Sequence, residues 1–488
     1  MAVRWFIIAT VNFAKYPLII SSTTTRLNSP SRTDYHGYSI LIGIESYKCP
    51  NPKIPTNRII FFNSCLNMAL DSQSNWNVEM SHPFKVPLRR PSSYPIEASS
   101  RELSFEKLSS FTPPSRETVL PHEIIFQIVS FIPQHSAQST IWACTLVSRT
   151  WYNSSIARLY KYPHLTPANF EAFVSTICPS KNARIRHSPL AELVRHLDMS
   201  ELVHNSSRSL TARLLGRLKG NIEEFVAPQA SFAVNSFAAL SKCKDLKILN
   251  LSLISTSIEV EQLFNTLATL KKLDTLFFPR TSYKIEYRRQ SDDSQLFAWP
   301  RKLRALHLAG GINDFFVQHH LSRVPQTLQR LSIQHCSQLC AGALEEFLAH
   351  RGRQLTHLTI RHPMSRLGPR ILDDILLLCP SLIALRISAD YISNSIFEFT
   401  PLSHPLQILD LNCSSASDEM VDIDPEAVFS AVEDGKLPNL RSVRVNMRLG
   451  WTVSKSIRRD AADLGDILEA AERERPLGVV AGVWVVSD

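Results

Sequence analysis

LTHLTI (355–360), LIALRI (382–387) and LQILDL (406–411) are one phrase written three times: apolar side chains at the first, fourth and sixth places, polar or apolar ones between. Working outward, the same template starts at Val194, Ile222, Leu246, Leu273, Leu303, Leu328, Leu355, Leu382, Leu406 and Leu440, at intervals of 28, 24, 27, 30, 25, 27, 27, 24 and 34 residues. One such triplet arises by chance roughly once in thirty positions, so the spacing and not any single match carries the reading. Alternation of this kind suits a short strand with one buried side. The stretches between, at 260–270, 343–349, 370–378 and 425–432, read as helices.

One strand and one helix every 24 to 30 residues is the leucine-rich-repeat period. Each repeat has an apolar edge that only its neighbour covers, so the expected fold over 191–488 is α/β: a curved solenoid with strands on its concave face and irregular capping repeats. The apolar tail 477–486 reads as a last strand closing the core, being too short for a membrane anchor. Side chains between the repeating apolar positions would form the target-binding surface. Alternation nominates Arg304, His307, Gln329, Ser332, His357, Arg361, Arg386 and Asp410.

Upstream, the texture changes at Val119. Ile124, Ile125, Ile128, Val129 and Ile132 recur at helical spacing behind Pro121, whose missing N–H costs nothing in a first turn, and Pro133 ends the run. Two further helical stretches, 141–147 and one holding Trp151, Ile156 and Leu159, complete a three-helix module over 118–165, followed by a helical linker at 166–190. So few apolar residues make a marginal core, and a helical module of this size calls for an outside surface. Residues 1–117 lack a sustained period and carry Ser/Thr and Pro/Ser runs, the composition of a disordered region. Met68 and Met80 offer later starts, so part of this region is expected to be a gene-model extension.

Charge narrows the function classes. The net +9 divides into 13 basic against 8 acidic residues in 1–117, 6 against 2 in 118–190, and 34 against 34 in 191–488. A nucleic-acid binder concentrates its basic residues, and this balanced C-terminal part argues against one. Nine scattered cysteines without a Cys-x-x-Cys pair argue against a disulfide framework or zinc module and for a reducing compartment, cytoplasmic or nuclear. Apolar runs fall short of a bilayer span, so no membrane association is expected.

LPHEIIFQIVSFI (120–132), LVSRTW (146–151) and LY (159–160) resemble the F-box motif, its pieces in the family's order over about 45 residues. RQLTHLTI (353–360), CPSLIALRI (379–387) and LSIQHCSQLCAGAL (331–344) are similar to the repeats of leucine-rich F-box proteins. The resemblance implies a receptor of a Skp–cullin–F-box (SCF) ubiquitin ligase: the module docks on a Skp-type adaptor, which joins a cullin–RING scaffold, and the solenoid holds an unknown protein substrate for ubiquitin-dependent degradation. It implies that Leu120, Pro121, Ile124, Ile125 and Ile128 meet the adaptor, with Leu146, Val147, Trp151 and Leu159 in the module's core. The 133–140 link is longer than the family's usual one.

No catalytic residue, metal or cofactor is expected. The sequence holds no Gly-x-Ser-x-Gly elbow and no His-Glu-x-x-His helix, while the pair His319 and His320 reads as solvated or capping and Asp373 and Asp374 as facing solvent. Cys336 and Cys413, just after the strands, read as structural. The rival is a non-ligase leucine-rich scaffold, in which the helices of 120–160 merely cap the solenoid.

Overall fold

The computed structural model describes residues 120–134, 136–180, 188–202, 208–230, 232, 234–280, 298–414 and 423–487. The readings of 1–117, Met68 and Met80 included, fall outside the described residues. All of the described elements belong to the unit Val119–Asp488.

Every one of the ten apolar phrases becomes a strand. In chain order these are β1 (His196–Asp198), β2 (Glu224–Val226), β3 (Ile248–Asn250), β4 (Thr275–Phe277), β5 (Ala305–Ala309), β6 (Arg330–Gln334), β7 (His357–Arg361), β8 (Ala384–Ser388), β9 (Ile408–Asn412) and β10 (Ser442–Asn446). The apolar tail supplies β11 (Gly482–Val486). All are parallel and lie in sequence order in one sheet. The first apolar residue of each phrase sits two residues ahead of its strand and, with the fourth and sixth, points into the core: Leu355, Leu358 and Ile360 are all fully buried.

Helices cover the other side of that core. They include α4 (Phe170–Ile177), α5 (Arg208–Leu218), α6 (Val234–Leu240), α7 (Val260–Leu267), α8 (Asp314–His319), α9 (Ala341–Arg351), α10 (Ile375–Leu378), α11 (Ser395–Glu398), α12 (Pro425–Glu433) and α13 (Lys455–Glu474). Buried residues from Leu165 to Leu468 form one apolar cluster. The expected helix over 370–378 shrinks to the four residues of α10, because Asp373 is drawn inward instead of facing solvent. Its carboxylate accepts from the Ser393 backbone N–H at 2.6 Å and the Ser393 hydroxyl at 2.7 Å, leaving it 9% exposed.

Residues just ahead of the strands carry charges of alternating sign. Glu223 reaches Arg195 at 3.9 Å on one side and Lys247 at 2.7 Å on the other, and Asp274 reaches Arg304 at 3.6 Å. Such half-exposed pairs are screened by solvent and add little stability, and they account for part of the charge balance. At the far end Ser454 caps α13, its hydroxyl accepting from the Ile457 N–H, and the buried Arg441 ties β10 to α13 through Glu472 at 3.1 Å.

Candidate functional site: an apolar helical module and a strand face

Three helices make the module: α1 (His122–Phe131), α2 (Gln138–Val147) and α3 (Arg149–Lys161). Pro121 stands at the N-cap, one place before the expected first turn, and its carbonyl accepts from the N–H groups of Ile124 and Ile125. The Ser-Arg-x-Trp stretch is itself a cap: the Ser148 hydroxyl accepts from the Trp151 N–H at 3.3 Å and starts α3. Arg158 closes the module, donating to the Ile132 carbonyl at 2.6 Å while Gln134 donates to the Arg158 carbonyl.

Among the described residues of α1–α3, Ile125, Val129 and Ile141 are the buried apolar side chains, and none belongs to the solenoid's cluster. Ile125 is therefore corrected: expected at the adaptor surface, it lies inside, four residues from Val129 on the inward stripe of α1. Leu120 and Ile124 are open, at 44% and 43% exposed, Pro121 is exposed, and Ile128 is half-buried.

Leu146 and Val147 are corrected too. Expected in the core, they are 57% and 60% exposed, because α2 is apolar around most of its circumference and a three-helix layer covers one side of it. Trp151 and Leu159 are half-buried. Phe126, Phe131, Trp142 and Tyr152 join the exposed set, and sequence reading passed over them. The signal was available: apolar residues at 124, 125, 126, 128, 129 and 131 exceed one helical stripe, and the surplus has to face outward.

The module meets the solenoid at β1. The Arg195 N–H donates to the Lys161 carbonyl, the rings of Tyr162 and His196 lie 5.6 Å apart, and His196 Nδ1 is 2.9 Å from Glu224.

Across the sheet, register aligns Phe277, His307, Ser332, Thr359, Arg386, Asp410 and Arg444 in one row on the face opposite the leucines. His307 stacks on Phe277 at 4.0 Å, and burial, helped by the nearby Arg330, lowers its pKa to about 4. Arg386 pairs with Asp410 at 2.6 Å. Arg330 and His357 flank the row on one side, Gln334 and Arg361 on the other, all half-buried. Two of the expected exposed contacts are corrected: Ser332 is 2% exposed because it is short among long neighbours, and Asp410 is 9% exposed because its partner covers it. Arg304 and Gln329 are exposed but stand on the charged rim ahead of β5 and β6.

His320 is half-buried against Phe264, with ring centroids 5.7 Å apart, so of the two adjacent histidines only His319 is solvated. Cys336 is buried after β6 with its thiol directed at the Gln334 carbonyl, and burial pushes its pKa up to about 12, which rules out a thiolate nucleophile at neutral pH. Cys413 is similarly buried. Among the described residues no three His, Cys, Asp or Glu side chains group as metal ligands, and no helix is long and apolar enough to cross a membrane.

Two curated relatives are similar over about two thirds of this chain. "F-box protein YDR306C" of Saccharomyces cerevisiae is 33% identical over 330 residues, the match spanning 66% of this chain and 66% of that protein. "Protein pof5" of Schizosaccharomyces pombe is 30% identical over 325 residues, spanning 66% of this chain and 87% of that protein. No protein-family model matches the chain. Solved structures similar to it include the leucine-rich repeat-containing protein LegL7 from Legionella pneumophila (16% identity, TM-score 0.39, 60% of this chain and 91% of that one). The yeast Rad7 and Elc1 complex is similar at 15% identity and TM-score 0.39, over 66% of this chain and 87% of that one. An eleven-strand parallel sheet in sequence order, an F-box-like module ahead of it, and relatives at this level of identity lead to one statement: the chain belongs to the F-box proteins with C-terminal leucine-rich repeats.

Proposed function

We propose that this chain is the target-recognition subunit of an SCF-type ubiquitin ligase, acting in the cytoplasm or nucleus, with α1–α3 docked on a Skp-type adaptor and the strand face holding a protein target. One observation carries the reading. Leu120, Ile124, Phe126, Phe131, Trp142, Leu146, Val147 and Tyr152, eight exposed large apolar side chains, fall within residues 120–152, above a module with three buried apolar residues of its own. An exposed apolar patch of this density marks an interaction surface, and a partner helix or groove would supply the core that the module lacks. The role is non-catalytic: the receptor raises the local concentration of its target beside the ubiquitin-transfer machinery. Free cysteines along the described chain fit a reducing compartment.

The test is co-purification with a Skp-type adaptor. Leu120→Asp with Ile124→Asp places two charges on the open surface and is expected to weaken capture by about 100-fold, near 1.4 kcal/mol for each position. Circular dichroism should show the solenoid's melting unchanged. Full co-purification of that double variant would remove the docking assignment, and loss of the solenoid's transition would mean that the variant reports on folding.

A further inference from the structure

The four turns that lead into β2, β3, β4 and β5, residues 219–223, 241–247, 268–274 and 298–304, hold nine basic side chains and three acidic ones. Glu223 is taken by Lys247, Asp245 by Lys272 and Asp274 by Arg304. Three pairings leave six cations: Lys219, Lys242, Lys244, Lys271, Arg301 and Lys302. All six are exposed, and none of their charged groups makes an ion pair or hydrogen bond among the described residues. The balance of 34 against 34 over 191–488 therefore hides a local positive excess.

The strands are parallel and level, from Glu224 through Ile248 and Thr275 to Ala305, so all four turns stand on one edge of the sheet. Backbone bonds lock each turn to the next. The Lys247 N–H donates to the Glu223 carbonyl at 2.7 Å, Asp274 to Lys247 at 2.8 Å and Arg304 to Asp274 at 2.8 Å. With strands about 4.8 Å apart the four turns span about 14 Å, the length of about five residues of extended chain. Helix ends explain little of the excess: α5, α6 and α7 end at this edge, and at about half a negative charge each they offset about 1.5 of the six. The turns into β8 and β9, residues 379–383 and 399–407, also follow helices and hold no Lys, Arg, Asp or Glu. Cations here are therefore not a requirement of the fold.

We propose that this edge holds an acidic segment of the target protein, laid across the turns into β2–β5, a reading that rests on the receptor role and adds the chemistry of its target. Charge complementarity calls for an anion, and the setting selects a protein. The edge borders the start of the strand face, so a target seated on the strands crosses it. A phosphate backbone, charged at every step, would have to pass the three carboxylates set among the cations, whereas a protein segment places its own carboxylates only beside the cations. The one aromatic side chain of these turns, Trp299, is 6% exposed, which leaves no platform for bases to stack on. Leu246, Leu273 and Leu303 are fully buried, so the turns offer no apolar side chain to a lipid layer. Five of the six cations are lysines, mobile point charges that accept carboxylates in many arrangements. The segment is thus recognised by its charge, and binding weakens as salt screens it.

The experiment uses the full chain and four probes: a fluorescent twelve-residue peptide alternating Glu with Ser, the same peptide with Gln for Glu, a fluorescent twelve-nucleotide single-stranded RNA, and vesicles of equal parts phosphatidylcholine and phosphatidylserine. Anisotropy titrations are expected to give the Glu peptide at least about tenfold tighter binding than the Gln peptide or the RNA, and flotation should capture no protein on the vesicles. Lys242→Glu with Lys271→Glu should abolish that advantage. The equal charge change at Lys455→Glu with Arg459→Glu, two exposed positions on α13, should preserve it. Unchanged melting by circular dichroism shows that the variants fold; should the first melt early, Lys242→Gln with Lys271→Gln is measured in its place and should weaken the Glu peptide by about threefold. Equal binding of the Gln peptide, RNA binding as tight or tighter, vesicle capture, or an equal loss in the α13 pair overturns the proposal. Adaptor co-purification, measured on the same preparations, reports separately on the receptor reading.

Discussion

His307 lies face to face with Phe277, and its buried setting keeps the ring neutral. Burial, then Arg330, lowers its pKa from 6.5 to about 4, so between those values the unfolded chain binds a proton that the folded chain refuses. The stability held by the neutral ring is complete above pH 6.5 and drains as pH falls toward 4. From pH 7 to pH 5 the loss is about 2 kcal/mol for this residue alone. His320 and His357, also lowered to about 4, act in the same direction. Urea titrations at both pH values should therefore show a steep acid-side decline that His307→Asn makes shallower; an unchanged slope would mean that the ring titrates freely.

At the scale of elements, successive repeats approach so closely that a single methyl is too much at some points. Gly352 opens the turn before β7 with an ordinary helical backbone, φ −59°, yet a Cβ there would meet the Leu378 carbonyl oxygen at 2.4 Å and Cys379 Sγ at 2.8 Å. The obstruction is largely backbone and cannot swing aside, so Gly352→Ala should cost about 1–3 kcal/mol by overpacking, read as a lower denaturation midpoint with an unchanged slope. The same repeats show what the sequence made legible. Strands from Val194 to Leu440 could be placed because leucines at fixed spacing are a local signal that stacking reinforces. Asp373 could not, since its inward turn depends on Ser393 in the next repeat, and neither could the outward turn of Leu146 and Val147, since a helix that is apolar around most of its circumference does not say which side its own module covers. Ser332 and Asp410 failed for a related reason: alternation gives the face, while the lengths of cross-strand neighbours set the exposure.

On the scale of the whole unit, one end of the sheet is held by α13 and β11, with Arg441 buried between them and β10. Removing residues 455–488 would leave Arg441 without Glu472 and bare the edge of β10. Arg441 would keep its bonds to the Pro438 and Leu440 carbonyls but lose its carboxylate partner, and an unprotected edge strand invites pairing between chains. Light scattering and urea unfolding should show such a truncation both aggregating and unfolding earlier, most steeply in its last repeats; a truncation as soluble and stable as the parent would show that this cap is dispensable. The order of the sheet has a kinetic consequence as well. Many side-chain bonds between repeats link residues 24 to 30 apart, as in Lys247–Glu223, Thr269–Ser241 and Asn394–Asp424. Each of these contacts closes a loop shorter than about a tenth of the unit, the regime of fast folding. A nascent chain can thus add one finished repeat at a time as it leaves the ribosome, and a defect in one repeat halts growth there while everything already synthesised stays folded.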